Sequence, residues 1–311
     1  MPPQVSILIP CFNRVEYLRD AVDSVLAQSF RDWELIVADD GSGPQTLDYL
    51  ADLEQRTRAR VLRLEHTGNP GIVRNVALKA ARGAYVAYLD SDDVWLPTKL
   101  DRQLALQRRQ PERRWSYVAM DRIHADGRLM RGEPRRPTPE GMIFEPLLRL
   151  VAANVSMSSV MAERALLERL GGFDEDLPFF EDLDLMMRLS LASEVAVVRE
   201  PLVRMRSHAQ HYSADRIGML SGRARLLQKM QAEAQRHGVL AVLRREQRRN
   251  NSDLARAFAA AGQRRPALVL LGASWRGAWY RGFWWKAWIA LARSCAPAGL
   301  RHAYRRVRGR A

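Results

Sequence analysis

The stretch Ala84-Tyr-Val-Ala-Tyr-Leu89, followed directly by Asp90-Ser91-Asp92-Asp93, decides how the rest of the chain is understood. Its first six residues are mostly apolar and β-favouring, so they predict a buried strand. Three carboxylates within four positions repel one another, and each needs a partner or stays protonated. Divalent cations that carry a polyphosphate are frequent partners of such clusters. The alternative is an acidic turn that caps a helix beginning near Pro97.

Length and composition predict a folded protein with ample material for a core. The 311 residues suit one large domain with an appendage, or two domains, and 47% of them are hydrophobic and 27% charged. Cys11 and Cys295 are far apart, which argues against a disulfide scaffold and fits a reducing compartment. We find no signal segment and no apolar run of the roughly 18 to 20 residues that span a bilayer. We therefore expect a cytoplasmic protein whose contact with a membrane is at most peripheral.

Charge is distributed unevenly along the chain. The net charge is +14, yet residues 216–311 hold 21 Lys or Arg against 3 acids, a net of +18, and residues 1–215 carry about −4. Two parts of opposite charge are expected to face different partners. We therefore predict one domain over about residues 1–215, followed by a basic, aromatic-rich helical region over residues 216–311.

Short apolar strands alternate with amphipathic helices in the first part of the chain. The predicted strands are 5–9, 33–38, 61–64 and 84–89, with Pro10 ending the first and Gly83 closing the helix before the last. This alternation predicts an α/β fold of right-handed βαβ units with a mainly parallel sheet covered on both faces. Ligands of such sheets bind beyond the carboxyl ends of the strands. The segments that fall there are Pro10–Asn13, Asp39–Asp40 and Asp90–Asp93.

Beyond residue 113 the alternation is weaker. Strands are predicted at Ser116–Met120, Ser156–Met161 and Val195–Val198, and a short helix over 163–170 that Gly171 stops. Phe179–Asp184 opens a helix with an acidic first turn, and acids there also stabilise a helix through its dipole. The tail predicts helices over about 216–237 and 251–262.

Five segments of this sequence resemble the motifs of family 2 glycosyltransferases, which have the fold called GT-A. In chain order they are Val5–Asn13, Val37–Ser42, Gly71–Asn75, Tyr88–Asp93 and Phe180–Leu185. The resemblance covers about residues 4–213, and its specificity lies in five motifs in this order rather than in any one of them. It implies an inverting, metal-dependent transferase that uses a nucleotide-diphosphosugar. The nucleotide-binding half would span about 1–115 and the acceptor half about 116–215.

The resemblance also implies how the donor is held. Asp92 would ligate Mg²⁺ or Mn²⁺, and Asp90 would contact the ribose or a water on the metal. A metal that bridges both phosphates stabilises the departing diphosphate. Asp40 would accept a hydrogen bond from the pyrimidine N3–H, which favours uracil or thymine. The remaining expected donor-site residues are Pro10, Asn13, Arg74 and Ser91, with Asp39 bracing its loop and Asp93 either capping the next turn or joining the site.

On the acceptor side the resemblance points to Asp182. An acceptor hydroxyl has a pKa far above 7 and needs a base on the face opposite the leaving group. That base would be Asp182, with Glu181 positioning the acceptor or holding the helix start. The neighbouring Glu181 and Asp184 would raise the pKa of Asp182 by like-charge repulsion. His208 falls where the family often has a His that contacts the diphosphate, although the aromatic residue usual near Arg204 is absent.

The tail predicts a second partner. Seven aromatic residues between Trp275 and Trp288 interleave with Arg276, Arg281 and Lys286. This pattern suits helices that dock on an anionic membrane surface, where a lipid-linked acceptor or a growing surface polysaccharide would be found. Packing of these aromatics on the catalytic domain is the alternative. No module that reads nucleic acid is present, so no nucleic acid is expected, and the expected location is the inner face of the cytoplasmic membrane.

Parts of the sequence also suit other classes of protein. Gly41–Thr46 follows a strand and precedes Glu65 by about twenty residues, as in a dinucleotide-binding fingerprint. Thr46 replaces the last glycine, however, and Asp39 and Asp40 would repel a pyrophosphate. A sugar-nucleotide-binding protein without catalysis, or a membrane- or nucleic-acid-binding scaffold with a vestigial site, stays open. The intact Asp182 argues against the first of these.

Overall fold

The computed structural model describes residues 1–130, 139–149, 155–207 and 215–275, with side chains up to residue 271. The chain divides into two compact units, Met1–His211 and Tyr212–Ala311. The sequence prediction places the boundary at residue 215. Each unit is described by itself below.

The first unit is built on a sheet of eight strands within the described residues. In chain order they are β1 Val5–Cys11, β2 Trp33–Asp39, β3 Arg60–Arg63, β4 Tyr85–Tyr88, β5 Val94–Trp95, β6 Trp115–Ile123, β7 Val160–Glu163 and β8 Val195–Arg206. Their order across the sheet is β3-β2-β1-β4-β7-β6-β8-β5. Strands β3, β2, β1 and β4 are mutually parallel, whereas β7 is antiparallel to both of its neighbours.

Seven helices accompany this sheet in the described part of the first unit. They are α1 Val15–Leu26, α2 Pro44–Arg56, α3 Pro70–Ala80, α4 Lys99–Arg109, α5 Phe144–Leu148, α6 Arg164–Arg169 and α7 Glu181–Ala192. Alternate residues of β1, such as Ile7 and Ile9, are fully buried in one core cluster with Leu18 and Val22 of α1. The four-residue spacing of Leu18 and Val22 places both on one helix face, which explains why α1 covers the sheet.

The α/β class is therefore confirmed, with a sheet that is more mixed than expected. Four of the seven strand pairings are parallel and three are antiparallel. The antiparallel pairings belong to β7 and β5, which are joined to their neighbours by connections other than simple βαβ crossovers. The alternation of strands and helices predicts parallel pairing only where it is regular, and it is regular only up to β4.

Two predicted boundaries in the first half are wrong. Strand β1 continues through Pro10 to Cys11. Its pairing with β4 ends at Leu8, so the amide N–H that proline lacks is not needed for a hydrogen bond on that side. Gly83 does not close α3, which ends at Ala80. It lies instead against β1, where an added Cβ would come within 2.5 Å of the Ser6 backbone nitrogen. Glycine at this position allows the two backbones to approach closely and does not end a helix.

Two boundaries in the second half are also corrected. A single 3-10 turn occupies Met157–Ser159, so the strand predicted from Ser156 begins only at Val160. The strand predicted over Val195–Val198 extends to Arg206 along β6, with register shifts next to Ala119. The exposed polar residues Arg199 and Glu200 conceal this continuity in the sequence, because an irregular strand breaks the alternation on which the prediction depends.

The described part of the second unit consists of four helices, α8 Arg216–Lys229, α9 Gln231–Arg236, α10 Leu240–Ala260 and α11 Arg264–Trp275. Helix α10 begins eleven residues before the predicted position 251. It buries Leu243 and Leu254 but exposes Arg244, Arg245 and Arg249. In the part of the chain with coordinates described, no helix has both the length and the apolar character to cross a membrane. The aromatic-basic segment from residue 276 lies outside the described residues.

Candidate active site

The carboxyl ends of three adjacent parallel strands form one edge of the sheet in the first unit. Strand β1 lies between β2 and β4, with Cys11 opposite Asp39 and Leu8 opposite Tyr88. The predicted donor-site segments follow these strands directly, so the sheet brings them together as expected. The residues of the acidic helix α7 meet the same edge through Arg74.

Asn13 and Asp39 connect the loops that follow β1 and β2. The Asn13 amide N–H donates to Ser42 Oγ at 2.7 Å, and its side-chain Oδ1 accepts from Gly43 N at 2.9 Å. Asp39 Oδ2 accepts from Ser42 N, and its Oδ1 lies 3.6 Å from the buried Cys11 thiol. Both side chains thus hold the loop geometry. Burial, followed by the charge of Asp39, raises the pKa of Cys11, so this cysteine stays a thiol.

Asp40 is engaged with the turn that follows β3. Its Oδ1 accepts from both the backbone N–H and the hydroxyl of Thr67 at 2.8 Å, and its Oδ2 accepts from Gly68 N at 3.0 Å. His66 Nδ1 lies 3.1 Å from Oδ2, and the His66 ring stacks on Phe12 with centroids 4.1 Å apart. A pyrimidine N3–H could therefore reach Asp40 only in exchange for one of these bonds. The proposed role of Asp40 in reading the base stays a prediction.

Two asparagines attach helix α3 to the loop that precedes α7. Asn69 caps α3 by accepting from Gly71 N, and its Nδ2 donates to the Glu175 carbonyl at 2.8 Å. Asn75 Nδ2 donates to the Phe173 carbonyl, and its Oδ1 accepts from Phe173 N. A Cβ on Gly172, which has φ +67°, would lie 2.4 Å from Asn75 Oδ1, so only glycine fits there. These contacts fix α7 beside α3.

Arg74 joins the donor and acceptor motifs. Its Nη2 donates to Asp90 Oδ1 and its Nη1 to Glu181 Oε1, both at 2.7 Å, and the side chain is 8% exposed. Its buried Nε has no hydrogen-bond partner among the residues that the structure describes. The family resemblance implies that this fork of donors lines the nucleotide pocket. In the structure, the guanidinium bonds two carboxylates from distant segments. Because these anions surround it, the buried guanidinium stays charged.

The start of α7 carries the acceptor-side carboxylates. Burial raises the pKa of Glu181 to about 7, with Asp182 adding to the shift and Arg74 opposing it. Burial also raises the pKa of Asp182, again against the charge of Arg74. The two acids titrate together, so the pair rather than either member has a proton affinity near neutral pH. Asp184, by contrast, is fully buried and ion-paired with Arg188.

The loop Asp90–Asp93 separates its three carboxylates. Asp93 is 3% exposed, accepts from the Ser158 hydroxyl at 2.6 Å and from Arg206 N at 2.9 Å, and burial raises its pKa well above the ordinary value. The Asp92 side chain is 15% exposed and that of Asp90 is 28% exposed, and Asp92 Oδ2 lies 3.3 Å from an Arg14 nitrogen. The Asp93 carboxylate therefore holds the loop through Ser158 and Arg206. Ser91 lies in the turn between Asp90 and Asp92 and is half-buried.

The donor set fits a divalent cation carried by a substrate. Within the described ranges, no three His, Cys, Asp or Glu side chains converge on one position. Mg²⁺ and similar hard cations are usually held by one or two carboxylates together with substrate phosphates and water, rather than by an all-protein cage. Asp92, an oxygen donor at the end of β4, is suited to that arrangement.

Backbone strain is concentrated at this edge. The non-glycine residues with positive φ in the described part of the chain are Asn13, Arg14 and Phe180. The first two follow β1, and Phe180 immediately precedes Glu181 and Asp182. An aromatic residue in the left-handed region is unfavourable, and such strain persists where surrounding contacts impose it, often at functional sites.

Several residues of this site were not singled out from the sequence. They are Arg14, His66, Asn69, Ser158 and Arg206. Only Asn69 carried a local signal, since it precedes Pro70 at a helix start. The others act through partners 26 to 114 residues away, and no local pattern reports such pairing. Pro10 is half-buried within β1, while His208 lies outside the described residues.

The fold and this edge define a class of protein. Solved structures with a similar fold include TarS of S. aureus (residues 1–349) in complex with UDP-GlcNAc, at a TM-score of 0.64 and 19% identity, covering 89% of this chain and 93% of that one. Another is the mannosyltransferase PcManGT from Pyrobaculum calidifontis with GDP-Man and Mn²⁺, at a TM-score of 0.58 and 20% identity, covering 94% and 86%. The architecture is therefore that of a GT-A glycosyltransferase.

Sequence comparisons identify the family. Residues 6–153 match the model of glycosyl transferase family 2, and this part of the chain belongs to that family. The putative teichuronic acid biosynthesis glycosyltransferase TuaG of Bacillus subtilis is 45% identical over 103 residues. The UDP-Glc:alpha-D-GlcNAc-diphosphoundecaprenol beta-1,3-glucosyltransferase WfgD of Escherichia coli is 36% identical over 102 residues. Each match covers 33% of this chain, and 41% and 40% of the respective relatives.

Proposed function

We propose that this protein is an inverting glycosyltransferase that moves a sugar from a nucleotide-diphosphosugar to an acceptor hydroxyl by a single displacement. The observation that carries the proposal is the bridge formed by Arg74, which holds a donor-side carboxylate and an acceptor-side carboxylate at 2.7 Å each. The buried guanidinium of Arg74 thereby fixes the distance between the place where the leaving group departs and the place where the acceptor is activated.

On the acceptor side, Asp182 is proposed as the general base. The acceptor oxygen forms a bond to the anomeric carbon while its proton moves to the Asp182 carboxylate. Burial raises the proton affinity of this carboxylate, and Arg74 keeps the ionised form accessible. Glu181, which is bonded to the Arg74 guanidinium, would position Asp182 and share a proton with it near neutral pH.

On the donor side, the bond from the anomeric carbon to the diphosphate oxygen breaks, and the diphosphate leaves with the electron pair. Asp92 is proposed to hold Mg²⁺ or Mn²⁺, which when bound neutralises charge on the diphosphate. Asp90, fixed by Arg74, would meet the ribose or a water, and Arg14 is close enough to Asp92 to contribute positive charge at the same place. His208 remains a proposed contact of the diphosphate.

A UDP- or dTDP-sugar is the proposed donor, with a glycan of the cell envelope or a lipid-linked glycan as acceptor. The similarity to TuaG and WfgD, whose names refer to teichuronic acid synthesis and to a diphosphoundecaprenol acceptor, supports the acceptor class. The neighbouring folds are complexes with UDP-GlcNAc and with GDP-Man, so the fold does not choose the base. Asp40, Asn13, Pro10 and Ser91 stay the proposed nucleotide contacts.

A peripheral membrane location is part of the proposal. On α10, Arg244, Arg245, Arg248 and Arg249 lie within one 140° sector of the helix, estimated at about 100° per residue. These four have no ion pair among the described residues, and no carboxylate shares their sector. Such a face would attract the phosphates of an anionic leaflet on the cytoplasmic side.

Liposome sedimentation tests the membrane component. The four α10 arginines changed together to Gln should abolish salt-sensitive binding to vesicles of phosphatidylglycerol. Matched changes of four exposed arginines of the first unit should leave it intact; they are Arg102, Arg109, Arg128 and Arg169. Equal binding by both variants would contradict a role for α10.

Donor turnover tests the enzymatic component. Nucleotide sugars would be screened for thermal stabilisation with Mn²⁺, and the hits assayed for nucleoside diphosphate release with and without an acceptor. Metal-dependent release is expected. Metal-dependent binding without any release would instead indicate a sugar-nucleotide-binding protein without catalysis, and neither binding nor release would indicate a scaffold with a vestigial site.

A further inference from the structure

The metal loop is held from behind by residues that belong to other segments. Ser158 Oγ donates to Asp93 Oδ2 and accepts from the Asp90 backbone N–H at 3.0 Å. The Ser158 carbonyl in turn accepts from the buried Trp95 indole at 2.8 Å. One side of the loop is thus fixed to the turn before β7, which is 65 residues further along the chain.

Arg206, the last residue of β8, fixes the other side. Its backbone N–H donates to Asp93 Oδ1, and its Nε donates to the Asp92 carbonyl, both at 2.9 Å. The same residue therefore binds the main chain of Asp92 and the side chain of Asp93. Arg206 holds both the Asp92 carbonyl and the Asp93 carboxylate. The directions in which the Asp92 carboxylate can point are therefore restricted.

The guanidinium of Arg206 is itself immobilised. Its Nη1 donates to the Ala125 carbonyl at 2.8 Å and its Nη2 to Asp20 Oδ2 at 2.6 Å, while the ring of Tyr17 lies 4.8 Å from its centre. Arg206 is 3% exposed, so it contacts no solvent-borne ligand directly. Each of the three guanidinium nitrogens is bonded to a different segment. A buried arginine held in this way has a far more specific geometry than a solvated surface arginine.

We propose that Arg206 is a positioning residue for the divalent cation: it orients Asp92 as ligand by holding the Asp92 carbonyl and the Asp93 carboxylate. This inference rests on the proposed function, in which Asp92 takes the metal. Groups that orient a metal ligand typically change metal affinity by about 10- to 100-fold when they are removed. A purely structural arginine would change thermal stability without changing metal affinity in the folded protein.

The experiment uses the full chain and measures Mn²⁺ binding by electron paramagnetic resonance of free Mn²⁺, in saturating UDP, together with the melting temperature. Arg206→Met should weaken Mn²⁺ binding about 10- to 100-fold. Arg206→Lys, which keeps one donor, should weaken it less. At saturating Mn²⁺, kcat should recover to within a few-fold of wild type while the Mn²⁺ concentration for half-maximal rate stays raised.

Three further variants make the result specific. Arg204→Met alters an arginine two residues upstream in β8 whose side chain has no ion pair or hydrogen bond among the described residues, and should leave Mn²⁺ affinity unchanged. Asp20→Asn removes only the half-exposed outer partner of Arg206 and should change the affinity about two- to threefold at most. Ser158→Ala loosens the opposite side of the loop and should weaken Mn²⁺ binding even if Arg206→Met does not fold.

The outcomes separate this inference from the proposed function. If the wild-type chain shows no UDP-dependent Mn²⁺ binding, the proposed function itself is contradicted. If the wild type binds Mn²⁺ while folded Arg206→Lys and Ser158→Ala bind it equally well, only the positioning role is wrong.

Discussion

Two regions of this molecule carry adjacent carboxylates, and they solve the problem of like charge in different ways. At Asp90–Asp93 the acids differ in exposure: Asp93 is buried against Ser158 and Arg206, whereas the side chains of Asp90 and Asp92 are 28% and 15% exposed. At Glu181–Asp182 the first acid is buried and the second half-buried, and Arg74 bonds Glu181. Under the proposed function, the first region supplies a carboxylate for the cation and the second supplies the pair that takes up the proton.

The difference teaches that a run of acids in a sequence does not specify its chemistry. A carboxylate that stays partly exposed on a rigid loop can ligate a hard cation. A carboxylate buried at a helix start binds a proton more tightly, because burial disfavours the charged form. Arg74 contacts one carboxylate in each region, whereas Arg206 holds only the Asp90–Asp93 loop, through the Asp92 carbonyl and the Asp93 side chain.

Asp182→Asn should give the largest effect in this comparison. An amide of the same shape cannot accept the acceptor proton, so kcat should fall about 10²- to 10⁴-fold. Donor binding, measured by thermal stabilisation with UDP and Mn²⁺, should be retained. Asp176→Asn, on the exposed part of the loop that precedes α7, is the matched control and should retain full activity. Transfer at the wild-type rate by Asp182→Asn would remove Asp182 as the base.

Asp92→Asn and Asp93→Asn should separate two neighbours with the same chemistry. Asp92→Asn is expected to weaken UDP-dependent Mn²⁺ binding by at least about 100-fold with little change in melting temperature. Asp93→Asn should lower the free energy of unfolding by about 1–3 kcal/mol, because it leaves a buried donor without its carboxylate partner. Titration with Mn²⁺ and urea unfolding check the two effects. The opposite pattern would assign metal binding to Asp93 and the structural role to Asp92.

Glu181→Gln should give the smallest effect on rate and a clear effect on pH dependence. The pKa of Glu181 is raised from 4.5 to about 7 in the folded protein, so the native state binds more protons than the unfolded chain between these values. Its contribution to stability is fully present below about pH 4.5 and is lost as the pH rises through about 7. Glu181→Gln should remove this slope, by a few kcal/mol across the range.

The same variant should shift the acid limb of kcat/KM to lower pH. The wild-type pair takes up a proton near pH 7, and removing one of two coupled carboxylates lowers the proton affinity of the other, by about one pH unit. Urea unfolding at several pH values and a pH–rate profile are the measurements. A pH–rate profile and a pH–stability curve that both match wild type would show that Glu181 does not share the proton of Asp182.

Much of the fold could be predicted from local pattern. The alternation of apolar strands and amphipathic helices up to Leu89 was interpreted correctly because each element repeats within a few residues. The predictions failed at Ser156 and at Glu200, where a 3-10 turn and an irregular β8 break that repetition. Gly83 was assigned to a helix end because its real reason, contact with β1, is 77 residues away in sequence.

The candidate site divides in the same way. The sequence by itself determined which carboxylates stand at strand ends and at a helix start, since side-chain type and element boundaries are local properties. The burial of Asp93 but not of Asp92, and the bridge that Arg74 makes between two motifs, are seen only in the tertiary structure. The physical reason is that burial and ion pairing depend on contacts such as Arg206 with Asp92, 114 residues apart, which no neighbouring residue encodes.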